Sequence, residues 1–255
     1  MTSTLTHQLD RTIVIGAPPA AVFRYFTDST RWAAWWGAGS TIDARPGGRV
    51  FIRYPGGNEA SGEVVDVAPP SRIVFTYGYN SGTPIGPGES RVTIELEKVA
   101  RGTRLRLTHA LADAGVRDEH VQGWRYQLSV FANVVTDEIH AKAADLVDGW
   151  FDAWAETDAA ARAERLAAVA VPGVQVHDRY SCIDGAPELT QQIAASQRFM
   201  PGLRLRRAGE PRHCQGVVLA DWTASGPDGQ VRAQGTNVFT LAADGLIESV
   251  TGFWR

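Results

Sequence analysis

Cysteine is scarce in this chain of 255 residues: Cys182 and Cys214 stand in its second half, with no C-x-x-C pair and no Cys/His cluster at metal-ligand spacing. That excludes a disulfide-stapled scaffold and a structural zinc site, and both thiols are read as reduced. Lysine is nearly missing too, with only Lys98 and Lys142 beside many arginines, a bias that looks like a GC-rich bacterial genome and not a functional signal. The net charge is −3 and the pI near 6.1. No electrostatic footprint for a phosphate backbone or anionic lipid remains, so neither nucleic acid nor a membrane surface is expected as a partner. There is no apolar run of about 18 residues, and Met1 to Asp10 has no apolar signal core, so a cytoplasmic location is expected. A nucleotide-binding glycine loop and a G-x-S-x-G nucleophile motif are also missing. Hydride transfer, metal-assisted hydrolysis and acyl-enzyme chemistry lose their basis, and no cofactor and no metal are expected.

What is present suits two ordinary cores. The apolar fraction is 44% and the charged fraction 21%, with no low-complexity tract, and the length fits two domains of about 100–150 residues. From Leu9 to Ile15 the side chains alternate, with Arg11, Ile13 and Ile15 on one face, which predicts a strand. Pro18 and Pro19 then suit the first turn of a helix striped by Val22, Phe23 and Phe26. A second short helix holds Trp32, Trp35 and Trp36; these are read as core, with one wall of a cavity as the other reading. A meander follows, punctuated by Gly47-Gly48, Gly56-Gly57, Pro69-Pro70 and the loop from Asn80 to Ser90.

Its clearest strand runs from Arg91 to Lys98, with Val92, Ile94 and Leu96 on one face. The same parity turns Tyr77 and His109 toward the interior. After Gly115 the period changes to that of a helix, with Val121, Trp124, Leu128, Phe131 and Val135 in one stripe extending to about Ala141. An antiparallel sheet with one apolar face, followed by one long apolar-striped helix, predicts the sheet wrapped around that helix with a pocket between them. Tyr54, Tyr77, His109, His120 and Trp124 are the candidate ligand-contacting residues of that pocket. For His109 the competing reading is a satisfied core histidine.

This order of elements, with Arg31-Trp32-x-x-Trp35-Trp36 and Gly123-Trp124, resembles the START-like helix-grip (SRPBCC) superfamily, in the branch named after the activator of heat-shock-protein-ninety ATPase. The domain is placed at residues 9–142. A protein-interaction module is one reading that the branch name implies, although a fold does not transmit a function.

A new unit is expected from residue 143 to 255. Leu146, Trp150, Phe151 and Trp154 stripe one helix, Asp158 to Val169 form a second, and Pro172-Gly173 closes it. Strands follow at Val174 to Asp178, Gln215 to Trp222, Val231 to Leu241 and Leu246 to Phe253, while Arg204, Arg206 and Arg207 are read as a solvated strand face. The segments Trp154-Ala155-Glu156-Thr157-Asp158, Val176-His177-Asp178, Asp184-Gly185-x-x-Glu188-Leu189 and Asp244-Gly245-Leu246-Ile247 resemble the SnoaL-like, nuclear transport factor two-like superfamily. The fold expected for the whole chain is therefore α+β, a helix-grip domain followed by a cone-shaped α+β barrel domain.

Parity places Asp178 with Val174 and Val176 on the face lining a second pocket, where a carboxylate can act as a general base. The resemblance puts Asp178 on the ketosteroid isomerase-type catalytic aspartate, Trp150 on the oxyanion tyrosine position and Asn237 on the protonated aspartate position. An indole and an amide donate hydrogen bonds but are not the acidic donors that best hold an enolate, as the two-donor ketosteroid isomerase site illustrates. The competing role for Asp178 is capping the next turn or pairing with an arginine. The leading expectation is a binder of small hydrophobic or aromatic, polyketide-like molecules, for sequestration, resistance or sensing. A cyclase or isomerase using Asp178 is the alternative, and a homodimer is left open.

Overall fold

The computed structural model describes residues 4–255. The chain divides into two compact units, Met1–Thr136 and Asp137–Arg255, and both are α+β.

In the first unit β1 (His7–Ile15) leads through α1 (Pro19–Phe23) and a single 3-10 turn to α2 (Ser29–Trp36). Pro18 and Pro19 enter α1 without losing a needed N–H, and the Asp28 side chain caps α2 by accepting from the Arg31 N–H. The strands β2 (Thr41–Ile42), β3 (Arg49–Arg53), β4 (Glu59–Ala68), β5 (Arg72–Tyr79), β6 (Ser90–Val99) and β7 (Gly102–Leu111) form the meander. Together they make one seven-stranded antiparallel sheet in the order β1-β7-β6-β5-β4-β3-β2. The pairs Val92–His109, Ile94–Leu107 and Leu96–Leu105 face each other across β6 and β7 on the buried side, the cross-strand unit of sheet stability. The long helix α3 (Ala114–Ile139) buries Trp124, Leu128, Phe131 and Val135 on one stripe. Phe131 stacks on Phe26 at 5.1 Å between centroids and meets Trp35 edge-on at 4.8 Å. This is the expected helix-grip arrangement.

The second unit opens with α4 (Ala143–Ala155) and α5 (Ala159–Val169), the latter capped by Asp158. Then come β8 (Ala170–His177), β9 (Cys182–Asp184), α6 (Ala186–Phe199), β10 (Arg204–Cys214), β11 (Val217–Ser225), β12 (Val231–Leu241) and β13 (Ile247–Trp254). Their six-stranded sheet has the order β10-β11-β12-β13-β8-β9, with β13 and β8 parallel and the other neighbours antiparallel.

Several details differ from the sequence expectations. The sheet ends on β10 and β9 and does not close as a barrel among the described residues; β9 has three residues, too few to seal the gap. Pro172-Gly173 does not end a helix but lies inside β8, where the register with β13 slips between Ala170 and Gln175, so the missing proline N–H is not needed. Arg207 is not a solvated strand residue: its guanidinium holds both oxygens of Asp148 on α4 at 2.8 Å. The β10 strand carries Pro211 at a register shift between Ala208 and Arg212, a bulged edge of the kind that discourages further pairing. The helix α6 buries only Leu189 and Ile193, a stripe too thin to read from pattern alone.

Candidate functional site

Each unit carries a cavity. In the first, a cavity of about 320 Å3 opens among the end of α2, the end of β3, β5 and α3. Trp35 and Trp36 form one wall, so their cavity reading holds, whereas Trp32 is core and donates from Nε1 to the Phe51 carbonyl at 3.2 Å. Tyr54, Tyr77, His120 and Trp124 also line it. The Tyr54 and Tyr77 hydroxyls meet at 2.7 Å. Burial, the largest cause, pushes both phenols well above their ordinary range, so both stay protonated and keep their hydrogen-bonding capacity.

His109 does not line this cavity, and here the sequence expectation is corrected. It is 0% exposed and both ring nitrogens are engaged. The Trp124 indole, which can only donate, points Nε1 at His109 Nδ1 at 3.0 Å. Nδ1 is therefore the acceptor, and Nε2 carries the proton toward Ser90 Oγ at 2.8 Å. Ser90 in turn donates to the Tyr77 carbonyl at 2.8 Å. Burial first, then the neighbouring His120, hold the His109 pKa down at about 3. It is the satisfied core histidine, acting behind the wall by fixing Trp124.

His120 does line the cavity. Its Nδ1 donates to the Val116 carbonyl at 2.7 Å, and Nε2 has no hydrogen-bond partner among the described residues. Trp35 and Trp36 likewise have buried Nε1 donors without partners among the described residues. Gly123, on the α3 face beside it, has open space where a side chain would begin.

The second cavity, about 410 Å3, lies in the second unit among α4, α6, the end of β8 and the inner faces of β11, β12 and β13. Trp150, Asp178 and Asn237 all line it. So do Trp154, Tyr180, Trp222 and Trp254, which the sequence reading did not place at a site. Strand parity offered a signal for Trp222, since Ala220, Trp222 and Ala224 alternate inward. For Tyr180, in a turn, no period exists to read.

Asp178 behaves first as a turn residue. Its Oδ1 accepts the Tyr180 N–H at 2.7 Å, and its own N–H reaches the Ser181 carbonyl at 2.9 Å. No ion pair to Asp178 occurs among the described residues. Asn237 accepts the Trp222 indole N–H at 3.0 Å on Oδ1, which turns its NH2 elsewhere. Gly252 pairs with Asn237 across the ladder, and a side-chain carbon there would start 3.0 Å from Asp178 Cβ and 3.2 Å from Asn237 Oδ1. The missing side chain is what lets Asp178 and Asn237 share one corner. Trp150 is buried edge-on against Phe239 at 6.0 Å. No group of three or more His, Cys, Asp or Glu able to hold a metal is found among the described residues, and no helix there is long and apolar enough to cross a membrane.

Residues 16–136 match the family described as Activator of Hsp90 ATPase homolog 1-like protein. Among solved structures, an activator-like protein of that type from Rhizobium etli is 30% identical, covers 53% of this chain and 86% of its own, and superposes with a TM-score of 0.43. A proposed isomerase of the SnoaL-like family from Agrobacterium tumefaciens is 26% identical, covers 46% of this chain and 98% of its own, and has a TM-score of 0.42. Among curated proteins, none matches this chain.

Proposed function

We propose that this chain, whose residues 16–136 form an Activator of Hsp90 ATPase homolog 1-like domain, is a two-site binder of small hydrophobic or aromatic molecules, with residues 143–255 as a SnoaL-like domain. The observation that carries this reading is a separate aromatic-walled cavity in each unit, about 320 and 410 Å3, within the size of small-molecule sites at roughly 300–1,000 Å3. Each has mostly apolar walls and a few polar groups to orient a guest. Sequestration, resistance and sensing all follow from such binding, with neither cofactor nor metal required.

The alternative is a cyclase or isomerase in which Asp178 removes a proton from a carbon acid. Its support is the corner shared by Asp178 and Asn237. Against it, neither Trp150 nor Asn237 supplies an acidic hydrogen-bond donor for an enolate oxygen. An interaction module would fill these cavities with its own side chains, which counts against that third reading.

Native mass spectrometry of freshly purified full-length protein, with fluorescence titration of the neutral probe phenylnaphthylamine, tests the binder reading. A co-purifying small molecule, or saturable probe binding, is expected. Protein that carries no small molecule and binds no probe would overturn it.

A further inference from the structure

The cavity of the second unit has an unusual charge balance for an aromatic-rich site. Asp178 is the one ionisable carboxylate among its lining residues, and no arginine, lysine or histidine lines it. Oδ1 takes one backbone N–H, while Oδ2 makes no hydrogen bond among the described residues. As the one formal charge among the lining residues, the Asp178 carboxylate gives the cavity a negative potential.

Around it the rings stand at right angles. Trp222 and Trp254 meet at 5.0 Å and 82°, and Tyr180 meets Trp254 at 5.2 Å and 82°. Trp150 and Trp154 complete the aromatic lining. Perpendicular rings present π faces in more than one direction, and a π face attracts a cation through its negative quadrupole. The chain itself uses this property nearby: the Arg179 guanidinium lies 5.6 Å from the centre of the Tyr180 ring. Tyr180 is 67% exposed, which puts it at the mouth.

We propose that this cavity selects an organic cation, a quaternary or protonated amine on a hydrophobic body, with the ammonium among the rings of Tyr180, Trp222 and Trp254 and against Asp178. This rests on the hydrophobic-binder reading and narrows it. An anion would meet the carboxylate with no basic residue among the lining residues to hold it, and a neutral guest would gain nothing from Asp178.

The test uses the full chain and three matched probes: phenyltrimethylammonium, its neutral isostere tert-butylbenzene, and benzoate. Each is measured by displacement of phenylnaphthylamine and by calorimetry. The expected result is that the cation binds at least tenfold more tightly than the isostere and that benzoate does not bind. Asp178→Asn retains an oxygen to accept the Tyr180 N–H and so preserves the turn. It should weaken the cation at least tenfold and leave tert-butylbenzene unchanged. Trp254→Leu, checked for folding by circular dichroism, should weaken the cation more than the isostere. Equal affinities for cation and isostere, or a cation indifferent to Asp178→Asn, would overturn this inference while phenylnaphthylamine binding kept the broader reading alive. Loss of every probe, including phenylnaphthylamine, would overturn both.

Discussion

The buried His109 makes the first unit acid-sensitive by a calculable amount. In the folded chain its pKa is held at about 3, against 6.5 for an ordinary histidine. The unfolded state therefore binds a proton that the native state refuses. This contribution to stability is fully present above pH 6.5 and is lost as the pH falls from there toward 3. The slope is about 1.4 kcal/mol per pH unit, so about 2 kcal/mol is gone by roughly pH 5. His109→Gln removes the titration but keeps the contacts, because the glutamine oxygen can accept the Trp124 N–H and its amide can donate to Ser90. Urea unfolding of wild type and variant, followed by tryptophan fluorescence near neutral pH and near pH 5, reads the difference. Wild type should lose about 2 kcal/mol more than the variant over that interval. His140, whose pKa is also lowered by burial and by His213, lies in the other unit and cancels in the comparison. An equal loss in both proteins would show that His109 does not carry the buried neutral state described here.

Three further outcomes are expected. Gly123→Leu places a side chain into the open space of the first cavity and should abolish probe binding there with little change in melting temperature, read by fluorescence titration and calorimetry; undiminished binding by that unit would refute the cavity's role. Trp124→Ala removes a buried wall and strands the His109 Nδ1 acceptor, costing about 3–5 kcal/mol in denaturant unfolding; a loss below about 1 kcal/mol would contradict its burial. Fragments spanning residues 1–142 and 143–255 should each fold, as seen by circular dichroism and dispersed amide spectra; two unfolded fragments would refute the proposed separation of domains.

The sequence by itself determined the local periods and hence much of the architecture. Alternation in β6 and β7, the proline entry to α1 and the stripe of α3 are properties of neighbouring residues, so the strand and helix assignments of the first unit follow from them. Strand parity turned Tyr77 and Asp178, and the helical stripe turned Trp124, toward the faces that line the two cavities. Where periodicity is weak the reading failed: the polar helix α6 and the bulged edge strand β10 carry thin apolar patterns.

Only the tertiary structure decided which inward residues line a cavity and which are spent on one another. His109 and His120 both face inward, yet Trp124 and Ser90 consume both nitrogens of the first, while the second keeps Nε2 unpaired. Asp178 likewise was visible as a pocket carboxylate. That it caps its own turn, shares a corner with Asn237 through the absent side chain of Gly252, and sits among Tyr180, Trp222 and Trp254 depends on four segments meeting in space. Parity fixes the side of a sheet that a residue faces, because that is set by the backbone two residues at a time. Hydrogen-bond partners and charge balance are set by long-range contacts, and no local pattern encodes them.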